Sequence, residues 1–390
     1  MSQLKVNTIR HTGASSDAIE LANDGTCTVK ATNNLSNRRI NVNGDMRIAQ
    51  RSSSTTTTNT MCVDRYKCFF AGTDEAQTFA QVALTSSDTG PWAKGFRNAL
   101  QITNGNQTGG AAGADETVLY HQIEAQDIAN SGWDYTNTSS YLTLSFWVKS
   151  SVAQTFYGYI ASSDGTSRMY LFSTGALSAN TWKKVTVKIP GYANLQFDNN
   201  NGVGLGISFG PYYGTDYTTS GATLGAWTTW NGAARNPDNT TTWFTTNDST
   251  YAITGVQLEV GDYPSSFEFR SYGDELARCH RYYYKHIAGN NKVVSLGFSS
   301  ATDQVSGYIQ FPTTMRSTPS IDHTNGDNYY RLGAGNLGGD KYIDGAWALQ
   351  GATDQSTRIY ATPQSTLTAG EPGLVDTTNA SASIAFSAEL

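Results

Sequence analysis

The sequence predicts an all-β protein organised around an antiparallel sandwich. Short runs of alternating apolar and polar residues recur along the chain with turn residues between them, and long helical patterns are scarce. Charged residues make up 15% of the 390 residues, against about 25% in ordinary domains. Thr, Asn and 22 Tyr residues supply much of the polarity instead, and they suit strand faces and turns. A chain of this length is expected to fold as about two or three domains.

Residues 1–35 predict a short β-hairpin. The turn Asn23-Asp24-Gly25 separates the predicted strands. A hairpin of this size cannot bury its apolar face alone. It therefore either lies at the edge of the next domain or packs on copies of itself in neighbouring subunits. Its apolar residues, the candidate attachment residues, are Leu4, Val6, Ile9, Ile19 and Leu21.

The next segment opens the sandwich domain, predicted for residues 36–268. Ile40 and Val42 alternate into the tight turn Asn43-Gly44, and apolar residues follow on the other side. Residues 52–59 predict a polar loop, and a strand is expected to resume at residues 63–66. The later predicted strands are 78–84, 96–102, 118–130 (a strand and then a short helical turn), 141–149, 155–160, 168–172, 183–189 and 253–260.

Two of these strands carry the clearest alternation. In residues 141–149 the apolar Leu142, Leu144, Phe146 and Val148 share one face. Residues 253–260 predict a half-buried strand that ends at Gly261-Asp262, where a turn begins.

Residues 210–249 predict a long loop between these strands. Loops of about 40 residues are unusual and often functional. Aromatic side chains on such a loop can stack on sugar faces, but they can equally anchor the loop or fill subunit contacts. The candidate glycan-binding residues are Tyr212, Tyr213, Tyr217, Trp227, Trp230 and Trp243.

Residues 269–390 predict a short helix or linker and a C-terminal β domain. The segment DELARCHRYYYKH at residues 274–286 begins with acidic residues, which favour a helix N-terminus, and its tyrosines suit a strand. Gly-rich residues 332–340 predict a tip loop. Further strands are predicted at 293–298, 305–311, from 321, at 358–361 and at 382–390.

The segment ITGVQLEVGDYPSSFEFRSYGDELARCHRYYY, residues 253–284, resembles a segment found in bacteriophage tail-fibre and other virion appendage proteins. Residues 35–51 resemble the motif that opens their sandwich domain, and residues 1–35 resemble interlocking attachment modules of marine-phage fibres. The strand order, with LSFWVKSS and ITGVQLEVG, looks like the jelly-roll of carbohydrate-binding modules. The resemblance covers most of the chain and implies a homotrimeric tail fibre that docks by its N-terminus and contacts a host surface glycan.

The sequence disfavours three other classes of protein: nucleic-acid-binding proteins, membrane proteins and enzymes. A net charge of −6 gives no basic stripe for nucleic acid. No apolar run is long enough to span a bilayer, and the first residues lack a signal-peptide core. These absences predict synthesis in a cytoplasm, and the resemblance to phage fibre proteins implies that the final location is the virion. The nearest carboxylate pairs, Glu124 with Asp127 and Glu259 with Asp262, have no diagnostic spacing, so catalysis is not expected.

No cofactor is expected. Cys27, Cys62, Cys68 and Cys279 lack the paired spacing of a zinc site and are expected to be free. Residues 164–165 and 198–202 are rich in Asp, Asn and Gly, which form turns; the module resemblance adds a structural calcium as an alternative. Two alternatives to the fibre remain, a purely structural virion accessory such as a capsid fibre or tail-wall protein, and a lectin-like carbohydrate-binding module.

Overall fold

The computed structural model describes residues 6–14, 17–21, 23, 25, 27–29, 37–333 and 339–390. The chain is nearly all β with antiparallel sheets, which confirms the predicted fold class. Among these residues no helix has the length and apolar character needed to cross a bilayer. The predicted domain boundaries at 35/36 and 268/269 stay predictions.

The N-terminal segment forms a small three-stranded antiparallel sheet, with strands β1 (Thr8–Ile9), β2 (Ile19–Leu21) and β3 (Cys27–Val29). Ile9 pairs with Ile19 across the first two strands. Val6, Ile9 and Leu21 have exposed side chains, as expected for a hairpin too small to bury its own apolar face. Leu4 lies outside the described residues.

The sandwich contains twelve strands and two short helices among the described residues. The helices are α1 (Ala125–Ala129) and α2 (Thr242–Thr245), and a 3₁₀ turn spans Trp92–Lys94. The strands are β4 (Ser54–Thr55), β5 (Tyr66–Ala71), β6 (Thr78–Ala83), β7 (Asn98–Thr103), β8 (Glu116–Glu124), β9 (Tyr141–Ser150), β10 (Thr155–Ser162), β11 (Arg168–Ala176), β12 (Lys183–Pro190), β13 (Val203–Tyr213), β14 (Trp227–Thr229) and β15 (Thr250–Val260).

These strands form two six-stranded antiparallel sheets around one core. The first sheet has the order β14-β11-β10-β13-β8-β5, and the second has the order β12-β9-β15-β7-β6-β4. The predicted inner face of β9 is confirmed, because Leu142, Leu144, Phe146 and Val148 are fully buried. Phe146 meets Phe209 of the opposite sheet edge to face, with ring centroids 5.0 Å apart. Strand β9 lies in the second sheet, so its outward-pointing side chains form part of the outer face of that sheet.

Several local predictions were wrong. Residues 210–249 are not one structureless loop, because β13 continues to Tyr213 and the segment also contains β14 and α2. A register shift between Phe209 and Tyr212 accommodates Pro211, which cannot donate a ladder hydrogen bond. Strand β15 is buried on both faces, since Gln257 and Glu259 are also buried.

Residues 37–51, here called the arm, form no strand but run beside β15. The Ile40 amide donates to the Leu258 carbonyl at 2.9 Å. Asn43 has a φ of 56°, as a tight turn requires. A Cβ at Gly44 would lie 1.9 Å from the Val256 carbonyl oxygen, so glycine is needed there. The expected strand at 63–66 begins only at Tyr66, because Arg65 has a φ of 73°.

Among the described residues, the C-terminal domain has a second core and two antiparallel sheets, one of three strands and one of seven strands whose central strand is Val293–Ala301. Leu332 is buried in a strand, so the predicted tip loop begins later; residues 334–338 lie outside the described residues. The elements are α3 (Tyr272–His280), β16 (Tyr283–Ala288), β17 (Val293–Ala301), β18 (Gln304–Gln310), β19 (Ser320–His323), β20 (Tyr330–Gly333), β21 (Lys341–Ile343), β22 (Ala348–Gln350), β23 (Ser356–Ala361), β24 (Pro372–Thr377) and β25 (Ser383–Ser387).

Helix α3 begins at Tyr272, two residues before the predicted start, and its acidic residues lie in the first turn as predicted. The Ser271 hydroxyl accepts a hydrogen bond from the Asp274 amide at 3.1 Å, which caps the helix N-terminus. One turn later, Glu275 is fully buried and forms an ion pair with the fully buried Arg39 of the arm. Glu275 also accepts from the Asn43 amide. The helix thus ties the arm to the start of the C-terminal domain.

A second polar contact joins the two residues that follow α3 to the sandwich. Glu124, at the end of β8, accepts from Arg281 Nε at 2.6 Å, Arg281 Nη2 at 2.7 Å and the Tyr282 hydroxyl at 2.7 Å. The Arg65 guanidinium lies 3.5 Å from the centroid of the Tyr282 ring and pairs with Glu389 near the C-terminus. The segment singled out by resemblance is therefore the structural joint between the sandwich and the C-terminal domain.

Candidate functional site

Four of the six candidate glycan-binding aromatics are buried inside the protein. The Trp243 indole nitrogen donates to the Thr250 carbonyl at 3.0 Å, and the Trp227 indole nitrogen donates to the Pro190 carbonyl at 2.7 Å. The residues are Tyr212, Tyr213, Trp227 and Trp243. Their rings anchor the 210–249 segment, which is the alternative interpretation given above, and their faces are covered in this conformation.

The Tyr212 ring stacks on Phe244, with centroids 4.3 Å apart and an interplanar angle of 19°. The Tyr213 hydroxyl lies 3.2 Å from the Ser208 hydroxyl. Tyr217 is half-buried, and the Arg235 guanidinium lies 4.4 Å from its ring centroid. Trp230 is 37% exposed and meets Tyr159 edge to face at 5.3 Å. Of the six residues, Tyr217 and Trp230 are the ones that solvent can reach.

The structure places a different set of aromatic side chains around a cleft on the outer face of the second sheet. This cleft has a volume of about 460 Å³, within the usual range for ligand pockets. We call it the aromatic groove. Its principal lining residues are Lys94, Phe96, Ser145, Trp147, Lys184, Gly255, Ser265, Ser266, Phe267 and Phe269.

Trp147 lies on the outer face of the second sheet, in the strand next to the edge strand β12. In β9 it is paired with Lys184 of β12 on one side and with Thr254 of β15 on the other. A Cβ on Gly255 would lie 2.7 Å from the Phe96 ring and 3.1 Å from the Trp147 ring. Gly255 also has a φ of +63°. Glycine at this position therefore lets both aromatic rings lie against the sheet.

The chain that follows β15 supplies the other wall of the aromatic groove. Phe267 meets Phe96 with ring centroids 4.9 Å apart, and Phe269 meets Phe96 at 5.1 Å. Phe269 remains substantially exposed. The Glu259 carboxylate accepts from the Ser265 amide at 2.8 Å and from the Ser265 hydroxyl at 2.6 Å, which fixes the start of this wall. The groove thus combines rigid apolar faces with nearby hydroxyl and ammonium groups.

Asp88 holds the turn that packs against Trp147. Its Oδ1 accepts from Lys149 Nζ at 2.8 Å and from the Trp182 indole nitrogen at 2.9 Å. Burial opposes ionisation of Asp88, but these hydrogen bonds and the Lys149 charge lower its pKa to about 2. Gly90, two residues further on, lies close to the Trp147 ring. The carboxylate therefore fixes a turn that supports the Trp147 ring.

The Asp88→Asn substitution is expected to reduce the free energy of unfolding at pH 7 by about 1 kcal/mol, allowing for solvent screening of a partly exposed pair. Because the folded pKa is depressed, the carboxylate's contribution is present above the unfolded value near 3.8 and is lost as the pH falls towards 2. Urea unfolding at several pH values should show the difference between wild type and variant shrinking between pH 4 and pH 2. A constant difference would contradict this role.

One feature of the sequence indicates that Trp147 is a candidate site residue. It alternates with the buried residues of 141–149, so it lies on the outward face of a strand, where a large aromatic side chain is unusual. Phe96, Phe267 and Phe269 come from three separate segments around the strands, and only the folded sheet brings them together.

Three of the four carboxylates considered for catalysis have structural partners. Glu124 is held by Arg281 and Tyr282, and Glu259 is buried and bonded to Ser265. Asp262 lies 3.4 Å from Lys188 Nζ. Neither pair therefore presents two open carboxylates to a substrate, and the expectation of a non-catalytic protein stays a prediction.

The candidate calcium segments form hydrogen-bonded turns. Asp164 Oδ2 accepts from the Asp198 amide at 3.0 Å, and Asn200 Oδ1 accepts from the Gly202 amide at 2.8 Å. Within the described parts of the chain, no group of three or more His, Cys, Asp and Glu side chains could hold a metal. Cys62, Cys68 and Cys279 are buried and form no disulfide with one another. The Cys27 side chain lies outside the description.

No protein-family model matches the chain, and no curated protein matches it. Similar solved structures include the enzymatically active domain of tailspike protein 4 of bacteriophage CBA120, at 12% identity and a TM-score of 0.29, covering 57% of this chain and 21% of that chain.

Carbohydrate-binding modules also occur among the similar structures. The family 11 module of Lic26A-Cel5E from Clostridium thermocellum has 11% identity and a TM-score of 0.25, covering 55% of this chain and 98% of that chain. The N-terminal cellulose-binding domain of Cellulomonas fimi β-1,4-glucanase C has 12% identity and a TM-score of 0.25, with coverages of 55% and 97%. Because these TM-scores are below 0.5, none of these similarities identifies a function for this chain.

Proposed function

We propose that this chain is a non-catalytic, glycan-binding component of a bacteriophage virion appendage, and that its sandwich binds saccharide in the aromatic groove. The observation that carries the glycan-binding proposal is the groove itself. Trp147, Phe267 and Phe269 offer aromatic surface to the apolar C–H faces of sugar rings. Ser145, Lys94 and Lys184 lie beside them, and their hydroxyl and ammonium groups can bond sugar hydroxyls.

The virion role is supported by the sequence resemblance and by the exposed apolar side chains of the N-terminal hairpin. Val6, Ile9 and Leu21 are exposed in a single chain and would be covered in a trimer or against the virion. Three sandwiches in one trimer would present three aromatic grooves to a surface. Binding of one groove would hold the other two close to the surface, and this raised effective concentration would make the trimer bind more tightly than one groove alone.

The Trp147→Ala substitution tests glycan binding in the groove. Removing the central aromatic platform is expected to cost about 2 kcal/mol of binding free energy, roughly a 30-fold loss of affinity. The measurement is titration calorimetry with a glycan first selected by screening the protein against bacterial surface polysaccharides. Trp230→Ala, which truncates an exposed tryptophan outside the groove, is the matched control and should bind like wild type. Equal losses of glycan affinity in the two variants, or a loss confined to Trp230→Ala, would mean that the glycan binds outside the aromatic groove.

A structural accessory without receptor binding is the second candidate, and one feature of the C-terminal domain favours it. Leu296 is 80% exposed at the centre of the seven-stranded sheet. Its register partner Leu374 is exposed as well, and so is Tyr308 of the adjacent strand β18. An apolar sheet face of this kind suits coverage by a second copy of this chain in an assembled appendage. This candidate predicts an oligomer that binds none of the screened glycans.

A further inference from the structure

A second cleft lies at the junction of the arm, helix α1 and helix α3. It has a volume of about 490 Å³ and adjoins a cavity of about 450 Å³, with Asn37 in the lining of both. We call the two together the arginine cleft. Its lining arginines are Arg38, Arg39, Arg270, Arg278 and Arg281.

Three of these arginines already have carboxylate partners. Arg39 pairs with Glu275 and Arg281 with Glu124, while Arg270 Nη2 lies 3.4 Å from Glu268 Oε2.

The side chains of the other two arginines, Arg38 and Arg278, form hydrogen bonds only to neutral oxygens among the described residues. Arg38 donates to the Ser266 carbonyl at 3.3 Å, and Arg278 donates to Asn37 Oδ1 at 3.2 Å. The carboxylates that line the cleft, within the described chain, are Asp127, whose charge is attracted by Arg281 and Arg278 without a hydrogen bond to either, and Asp274, which is bonded to Ser271. Cationic donors therefore remain available in this cleft.

Arg270 is the most informative of the five. Its side chain is only 7% exposed, yet it lines both cavities. Its Nε and Nη1 atoms have no hydrogen-bond partner among the described residues, and Nη1 lies 3.8 Å from Glu275 Oε1, within ion-pair distance but beyond hydrogen-bond distance. Burial, together with repulsion from the neighbouring Arg39 and Arg278, lowers the pKa of Arg270 to about 10. A buried guanidinium with unused donors is costly unless an anion or another acceptor satisfies it.

We propose that the arginine cleft binds the carboxylate of an acidic sugar. A planar carboxylate matches the paired donors of a guanidinium, and the cleft is large enough for a sugar residue as well as its charged group. The sequence immediately before Asn37, residues 30–36, contains no Asp or Glu that could fill the cleft.

The position of the cleft extends the proposed function, on which this inference rests. Ser266 and Phe267 line the aromatic groove, and Arg270, three residues beyond Phe267, lines the arginine cleft. The Arg39 guanidinium lies 4.9 Å from the centroid of the Phe267 ring. A saccharide in the groove would therefore lie close to the cleft, and the pair of sites would select glycans that carry uronic-type carboxylates.

The test compares three probes at constant ionic strength: trigalacturonate, its carboxyl-reduced neutral trisaccharide, and inorganic sulfate. The variants are Arg278→Gln and Arg38→Gln, which remove charges that are not in buried ion pairs. Arg10→Gln, in the N-terminal hairpin, is the matched control for loss of one exposed charge. Trigalacturonate is expected to bind wild type saturably, and each cleft variant should weaken this binding about tenfold. Binding of the neutral trisaccharide should not change.

Other outcomes overturn the inference. These are sulfate binding without trigalacturonate binding, equal losses in Arg10→Gln, or no saturable binding of trigalacturonate. A different result would contradict the proposed function and not this inference: Trp147→Ala leaves glycan binding unchanged, while Arg278→Gln still weakens trigalacturonate binding. Melting curves of each variant establish that it is folded before binding is measured.

Discussion

Glu275→Gln is expected to lower the free energy of unfolding by about 3 kcal/mol or more, because it leaves the buried Arg39 guanidinium without its countercharge. Both side chains of this pair are fully buried, so water cannot replace the lost partner. Glutamine keeps the size of the side chain, and the change therefore reports on charge and not on a cavity. Urea unfolding followed by circular dichroism measures the effect.

Asp274→Asn is the matched control for this substitution. Asp274 is next to Glu275 in the first turn of α3 but is exposed, and its loss should cost less than about 1 kcal/mol. A Glu275→Gln protein as stable as wild type would mean that the Arg39–Glu275 pair does not hold the arm to α3.

Glu124→Gln is expected to cost about 3 kcal/mol and to uncouple the two large domains. Glu124 is fully buried and accepts three hydrogen bonds from Arg281 and Tyr282 of the C-terminal side. An uncharged amide cannot accept all of them, so charged and polar donors lose their partners at the joint. The sandwich and the C-terminal domain should then unfold at separate urea concentrations.

Trp347 allows the two domains to be followed separately. It is the one tryptophan of eight that belongs to the C-terminal core; the other seven lie between residues 92 and 243. Its indole NMR signal reports on the C-terminal domain, and the remaining indole signals report on the sandwich. Asp127→Asn, on the neighbouring exposed turn of α1, is the control and should leave a single transition. Coincident transitions in Glu124→Gln would show that other contacts couple the domains.

The sequence predicted those parts of the fold that depend on local alternation. Strand β9 was clear because Leu142, Leu144, Phe146 and Val148 alternate with Thr143, Ser145 and Lys149, and the four apolar side chains lie on the buried face of the sheet. Strand β13 was missed because glycines and Pro211 interrupt its alternation, and β15 was predicted as half-buried because Gln257 and Glu259 look like surface residues. Burial of those two polar side chains depends on partners from the 264–268 segment.

The candidate site was harder to predict because it also depends on contacts between residues that are distant in sequence. The aromatic residues of 210–249 were chosen because they cluster in sequence, but Trp227 and Trp243 are buried anchors. The aromatic groove joins residues that are distant in sequence, such as Phe96 and Phe267, whose ring centroids lie 4.9 Å apart. Similarly, the DELARC segment was expected to start a helix, and it does, but its role in joining the domains depends on Arg39 and Glu124. Single-sequence patterns do not contain such pairings.

The most direct test of glycan binding in the aromatic groove follows the eight tryptophan indole N–H signals by NMR while a binding glycan is added. We expect the Trp147 signal to shift saturably, with a midpoint equal to the calorimetric dissociation constant, while the Trp230 signal stays in place. A saturable shift of Trp230 with no change at Trp147 would contradict the assignment of the groove and would return the site to the 210–249 segment.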